Sequence, residues 1–195
     1  MIGALFDILY VTPAIPLIPL IITNVESGNL NGFLLLLRQI EESGGISQAM
    51  YYSVQCAEEA PFSNAAERAA AEDTVRPELA RALGPVFGGR IEAICAAWPI
   101  RQADPRENEA VHSSVPTLVL AGEHDPITPP VFAEIVATTL PDSTVVTFPG
   151  VAHGALLSTR TCPYDISWAF LQNPSAPPDT GCLAEMTEPV WVVPR

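Results

Sequence analysis

The sequence predicts an α/β fold, a parallel β-α-β-α unit preceded by a mainly helical segment. Val115–Gly122 (VPTLVLAG) and Ser143–Phe148 (STVVTF) are short branched-apolar runs, the pattern of strands buried on both faces of a parallel sheet. Between them, Pro129–Leu140 reads as a helix with proline near its start and Pro141 just past its end. A further helix is expected over Tyr164–Leu171, followed by a Pro/Asp/Ser loop over Asn173–Gly181. Short connections make the two strands parallel neighbours. Residues 1–104 have a different, helical texture, so two regions are expected, 1–105 and 106–195.

Within the first region, Leu30–Glu42 (LNGFLLLLRQIEE) has a wide apolar face and runs into Gly44-Gly45, a stop signal. Ala65–Asp73 is rich in Ala, Glu and Arg and reads as an exposed helix. Arg76–Leu83 and Arg90–Trp98 look like short helices set apart by Gly84-Pro85 and Gly88-Gly89. Ile8–Ile22 is almost wholly apolar but lacks the marks of a signal peptide or membrane anchor. No basic residue precedes Arg38, no small-residue cleavage site follows, and Pro13, Pro16 and Pro19 interrupt the run. It is shorter than the ~20 residues a span needs. Short helical pieces packed against an apolar surface are expected, with any secretion signal upstream.

Composition excludes several function classes. The chain carries 22 acidic against 9 basic residues, all of them Arg, for a net charge of -13. That balance argues against nucleic acid or anionic lipid as partner, since both need a basic footprint. Four cysteines, Cys56, Cys95, Cys162 and Cys182, contain no C-x-x-C pair, and the three histidines lack metal-ligand spacing, so neither a metal nor a cofactor is expected. Two disulfides would imply an oxidising compartment, against four buried thiols as the alternative. Three pairings are open. Cys162–Cys182 would staple the Pro-rich tail, which favours it together with Cys56–Cys95.

In open parallel sheets functional side chains sit just beyond the carboxyl ends of the strands. Asp125, in Gly122–Pro129 (GEHDPITP), follows the first strand, and His153, in Gly150–Gly154 (GVAHG), follows the second. Adjacent parallel strands bring these loops together, so a carboxylate can hold an imidazole's tautomer and stabilise its protonated form. Gly150 and Gly154 permit the tight turn this needs. Alone, an Asp before Pro marks a turn and a single His is a polar loop residue. The pair, in this order and at these strand ends, is the specific signal.

These motifs give the chain its resemblance. Val115–Cys182 resembles the C-terminal, TAP-like region of α/β-hydrolases related to tripeptidyl and prolyl aminopeptidases. The matching elements are G-x-x-D-P-x-T-P at Gly122–Pro129, G-x-x-H-G at Gly150–Gly154, Cys162, and the closing Asp179-Thr180-Gly181-Cys182. Tyr52–Glu59 (YSVQCAEE) and Cys95–Pro99 (CAAWP) resemble stretches of that family's cap. The resemblance implies a C-terminal part of an α/β-hydrolase fold preceded by a helical cap, with Asp125 and His153 as triad acid and base. It also implies the disulfides Cys56–Cys95 and Cys162–Cys182, and a secreted setting. It puts Glu58, with Glu59 as a second candidate, against the free α-amino group of a peptide substrate; an ordinary pair of surface acids is the equal alternative.

The triad of this fold runs Ser, acid, His, with the serine in a G-x-S-x-G elbow. No such motif occurs here. The nearest string, Gly45–Ala49 (GISQA), lacks a preceding strand, and its Ser47 reads as a helix N-cap. The nucleophile is therefore expected outside this chain, which alone should lack hydrolase activity and expose an apolar sheet edge. The chain then reads as a piece of a serine exopeptidase. A non-catalytic α/β-hydrolase-like binding protein and an esterase-type hydrolase are the alternatives.

Overall fold

A computed structural model describes residues 2–42, 47–87 and 91–194. Contacts divide the chain into two compact units, one of residues 1–4 and 40–109, the other of residues 5–39 and 110–195. The sequence texture groups residues 5–39 with the helical segment. By contacts residues 5–39 group with residues 110–195; periodicity reports a segment's local conformation and says nothing of the core it joins.

Near the N-terminus come α1 (Ile2–Ile8), a 3-10 turn (Thr12–Leu17) and α2 (Ile18–Glu26). The 3-10 turn and α2 each have proline at their start, and Pro16 lies inside the turn, so the apolar run folds as short pieces. Ile8, Ala14, Ile15 and Ile21 are buried. No helix among the described residues is long and apolar enough to cross a membrane. Next is α3 (Asn31–Glu42); the glycine stop expected at Gly44-Gly45 lies outside the described residues.

The unit of residues 40–109 continues with α4 (Gln48–Val54), capped by Ser47, whose hydroxyl accepts a hydrogen bond from the Met50 amide. A π-helical turn (Gln55–Glu59), α5 (Ala65–Asp73), α6 (Pro77–Phe87) and α7 (Ile91–Ala97) follow. The expected break at Gly84-Pro85 does not occur, and α6 runs through both residues. Glycine before proline has no Cβ to strike the pyrrolidine ring, so the usual penalty on helical backbone there is reduced. The Cys56–Cys95 disulfide joins the π turn to α7. Beside it Trp98 donates from Nε1 to Ser53 Oγ at 3.2 Å, and its ring stands 5.8 Å from that of Tyr52.

In the other unit β1 (Thr117–Gly122) and β2 (Ser143–Phe148) pair in parallel, from Thr117 opposite Ser143 to Gly122 opposite Phe148. Between them lies α8 (Pro130–Ala137), against both strands, with Ala133 buried. After them comes α9 (Cys162–Gln172), which begins two residues before Tyr164 because Pro163 suits the first helical turn. Val146, Phe148, Val151, Ala155, Cys162, Ile166 and Met186 form the core. β2 corrects the expectation of two buried faces: Val146 and Phe148 are buried, whereas Val145 and Thr147 are exposed. The exposed face of α8, with Val131, Phe132, Ile135 and Val136, is likewise apolar.

The Cys162–Cys182 disulfide ties the start of α9 to the C-terminal tail. Closing a loop of 20 residues removes unfolded-state entropy worth about 3 kcal/mol. Cys182→Ser is therefore expected to lower unfolding free energy by about that amount, measured by urea unfolding with and without reductant. The reduced wild-type chain should fall at least as far.

Candidate active site

β1 and β2 deliver two loops to the same edge of the sheet. Beyond the strands the pairing continues irregularly: the Glu123 amide donates to the Phe148 carbonyl at 3.1 Å and the His124 amide to the Val151 carbonyl at 2.9 Å. Gly122, at the end of β1, has the Val151 and Ala152 carbonyls pressed against it. A Cβ there would stand 2.6 and 2.1 Å from their oxygens. Gly150 (φ 66°) and Gly154 (φ 75°) occupy the left-handed region, as the tight turn around His153 requires.

Asp125 is buried, and its carboxylate is fully engaged. Oδ1 accepts from the Ile127 amide at 2.8 Å and the Thr128 amide at 2.9 Å, and Oδ2 from the Thr128 hydroxyl at 2.7 Å. Both oxygens lie 3.0 Å from His153 Nδ1. Pro126 lacks an amide, so the chain turns and points the next two amides at the carboxylate. Burial pushes the Asp125 pKa up. The donated hydrogen bonds from Thr128 and Ile127, with His153 the smallest contributor, outweigh it and hold the group below its usual value. Asp125 is therefore an anion at neutral pH. An ionised carboxylate only accepts, so Nδ1 is the donor to it, and in the neutral imidazole the lone pair then falls on Nε2. The His153 side chain is 34% exposed against 3% for Asp125.

Two further residues flank this pair. Thr128 Oγ1 lies 3.5 Å from His153 Nδ1 while donating to Asp125, so it braces both. Its signal was present in the sequence as the Thr of G-x-x-D-P-x-T-P. Tyr10 sets its ring edge-to-face with His153 at 5.3 Å and is itself backed by Phe6 at 5.6 Å. Thr12 Oγ1 accepts from the Ala152 amide at 3.0 Å. No local pattern links residues 6–12 to a loop some 140 positions away.

Thr128→Val removes one donor to a charged acceptor, an interaction worth about 1.5–3 kcal/mol. Reactivity depending on His153 is expected to fall by roughly 10-fold or more, with Thr128→Ser restoring most of it. Labelling rate with a serine-directed probe, measured on the protein that bears the nucleophile proposed below and compared across the three variants, checks this.

Glu58 and Glu59 are exposed on the π-helical turn of the other unit. Next to that turn lies a groove of about 340 Å³ lined by Cys56, Ala60, Pro61, Glu92 and Cys95 among others; neither glutamate lines it. Among the described residues, His153 hydrogen-bonds to Asp125 and Thr128, and no serine joins them. One His/Glu group, Glu123, His124 and Glu188, is spaced to hold a metal ion.

No curated protein and no solved structure matches the chain significantly. A family model does: residues 82–182, covering β1, α8, β2, α9 and both site loops, match the α/β-hydrolase family described as TAP-like protein. The match spans about half of the 195 residues. This chain belongs to the TAP-like family of α/β-hydrolases.

Proposed function

We propose that Asp125 and His153 are the acid and base of a Ser–Asp–His triad, and that the protein serves as an exopeptidase acting on peptides with a free N-terminus. One observation carries this reading: a buried, ionised Asp125 fixes the proton on His153 Nδ1 and leaves Nε2 as the atom able to take a proton. In the proposed cycle Nε2 accepts the proton of an attacking serine as Oγ bonds to the scissile carbonyl. His153 then returns that proton to the leaving amine, giving an acyl-enzyme that water hydrolyses by the same exchange. Asp125 stabilises the imidazolium in both halves.

The serine is proposed to lie on sequence outside these 195 residues, since the chain holds no G-x-S-x-G. Glu58, with Glu59, is proposed to meet the substrate's α-ammonium, a charged group that needs an anionic partner once it leaves water. No cofactor is needed by this chemistry. Two disulfides among the described residues suit an oxidising compartment, where we place the protein.

The test is a serine-directed fluorophosphonate probe on the natively expressed protein, paired with free-amine and amino-blocked peptides and simple esters. Labelling abolished by His153→Ala, with turnover confined to free-amine peptides, supports the exopeptidase. Equal turnover of blocked and free peptides removes the aminopeptidase assignment, and turnover of esters alone makes it an esterase. A protein that never labels overturns the triad.

A further inference from the structure

We propose that Glu123, His124 and Glu188 bind one divalent cation of the zinc class, clipping the C-terminal tail to the loop that carries Asp125. One ligand atom from each of the three lies within 4.8 Å of the others. The second observation is His124 Nε2, which is shielded from solvent and has no hydrogen-bond partner among the described residues. A shielded nitrogen without a partner is unfavourable, which points to a ligand beside it.

Distance separates a proton from a metal ion. Nε2 is 3.8 Å from Glu188 Oε2, whereas a charge-assisted hydrogen bond closes to about 2.7–2.9 Å. Two atoms that each sit about 2.1 Å from one zinc ion are separated by roughly 3.4–4.2 Å. The gap fits an ion between the two atoms and is too wide for a shared proton. Two carboxylates also balance a dication, and an imidazole in the set selects zinc-like ions over calcium or magnesium, which take oxygen ligands.

The surroundings support the ligands. The Gly150 amide donates to Glu123 Oε2 at 2.8 Å, orienting that carboxylate and leaving its other oxygen for a cation. The tail beside Glu188 is held close, since a Cβ on Gly150 would stand 2.9 Å from the Thr187 carbonyl oxygen. Asp125 is not a candidate ligand, because both its oxygens are occupied. The expectation of no metal rested on spacing along the sequence, and Glu188 comes from the tail, far from His124.

The test uses the full chain without an affinity tag, stripped with chelator and titrated with zinc chloride. Heat of binding and the His124 imidazole nitrogen resonances are recorded together. One saturable equivalent is expected, with a shift at His124 Nε2. Affinity should drop at least 10-fold in His124→Gln and in Glu188→Gln, and stay unchanged in Asp165→Asn, an exposed acid on α9. Glu188→Gln alters an exposed side chain of equal size, so its effect is readable even if His124→Gln fails to fold. Equal binding by wild type and Glu188→Gln would reveal diffuse attraction to an acidic surface and overturn the site. So would a His124 Nε2 that is protonated and unresponsive to zinc.

Discussion

Gly122→Ala is expected to destabilise the unit containing the sheet by about 3 kcal/mol and to separate Asp125 from His153. The added carbon would stand 2.1 Å from the Ala152 carbonyl oxygen and 2.6 Å from that of Val151. Both are backbone atoms, so no side-chain rotation relieves the overlap, and the loop leading to His153 must move bodily. Movement there strains the His124 amide bond to the Val151 carbonyl as well. A urea midpoint lowered at constant slope measures the stability change. Loss of the low-field Nδ1 proton signal of His153 reports the separated pair. A variant with wild-type stability and an intact signal would show that the loop yields more easily than its packing implies.

Asp125→Asn is expected to lower triad-dependent reactivity by about 10,000-fold while leaving the fold nearly intact. An asparagine oxygen still accepts from the Ile127 and Thr128 amides, so the turn survives. Its amide group, however, would face His153 Nδ1 as a donor and drive the imidazole to the opposite tautomer, with the proton on Nε2. A nitrogen carrying a proton cannot take one from serine. The rate of fluorophosphonate labelling, measured on the protein that bears the nucleophile, is the observable, with thermal unfolding as control. Unchanged labelling would remove Asp125 from the chemistry.

The strands, the helix between them and the Asp125–His153 pair are legible in the sequence for one reason. A parallel β-α-β unit converts order along the chain into adjacency at one sheet edge, and glycine marks the turns. Thr128 is legible only through the motif that carries Asp125, three residues before it, because a side chain bracing a carboxylate leaves no periodic trace. Tyr10 and Thr12 could not be assigned to His153 from sequence, since nothing local in an apolar run names its partner. The alternation in β2 was hidden by Val145, an apolar residue on the exposed face. The passage of α6 through Gly84-Pro85 defeats a rule that holds best when the residue before proline has a side chain.

The Cys162–Cys182 link has a consequence for the chain as a covalent object. Between those cysteines runs Asn173–Thr180, exposed almost throughout and rich in proline. A cut in that stretch would divide the polypeptide without dividing the molecule. The tail segment that carries Met186 into the core and Val192 to the Pro16 carbonyl would remain tethered. Its effective concentration at its own docking site would stay high enough to hold it there. Integrity of the unit thus depends on the redox state of its surroundings more than on continuity of the backbone.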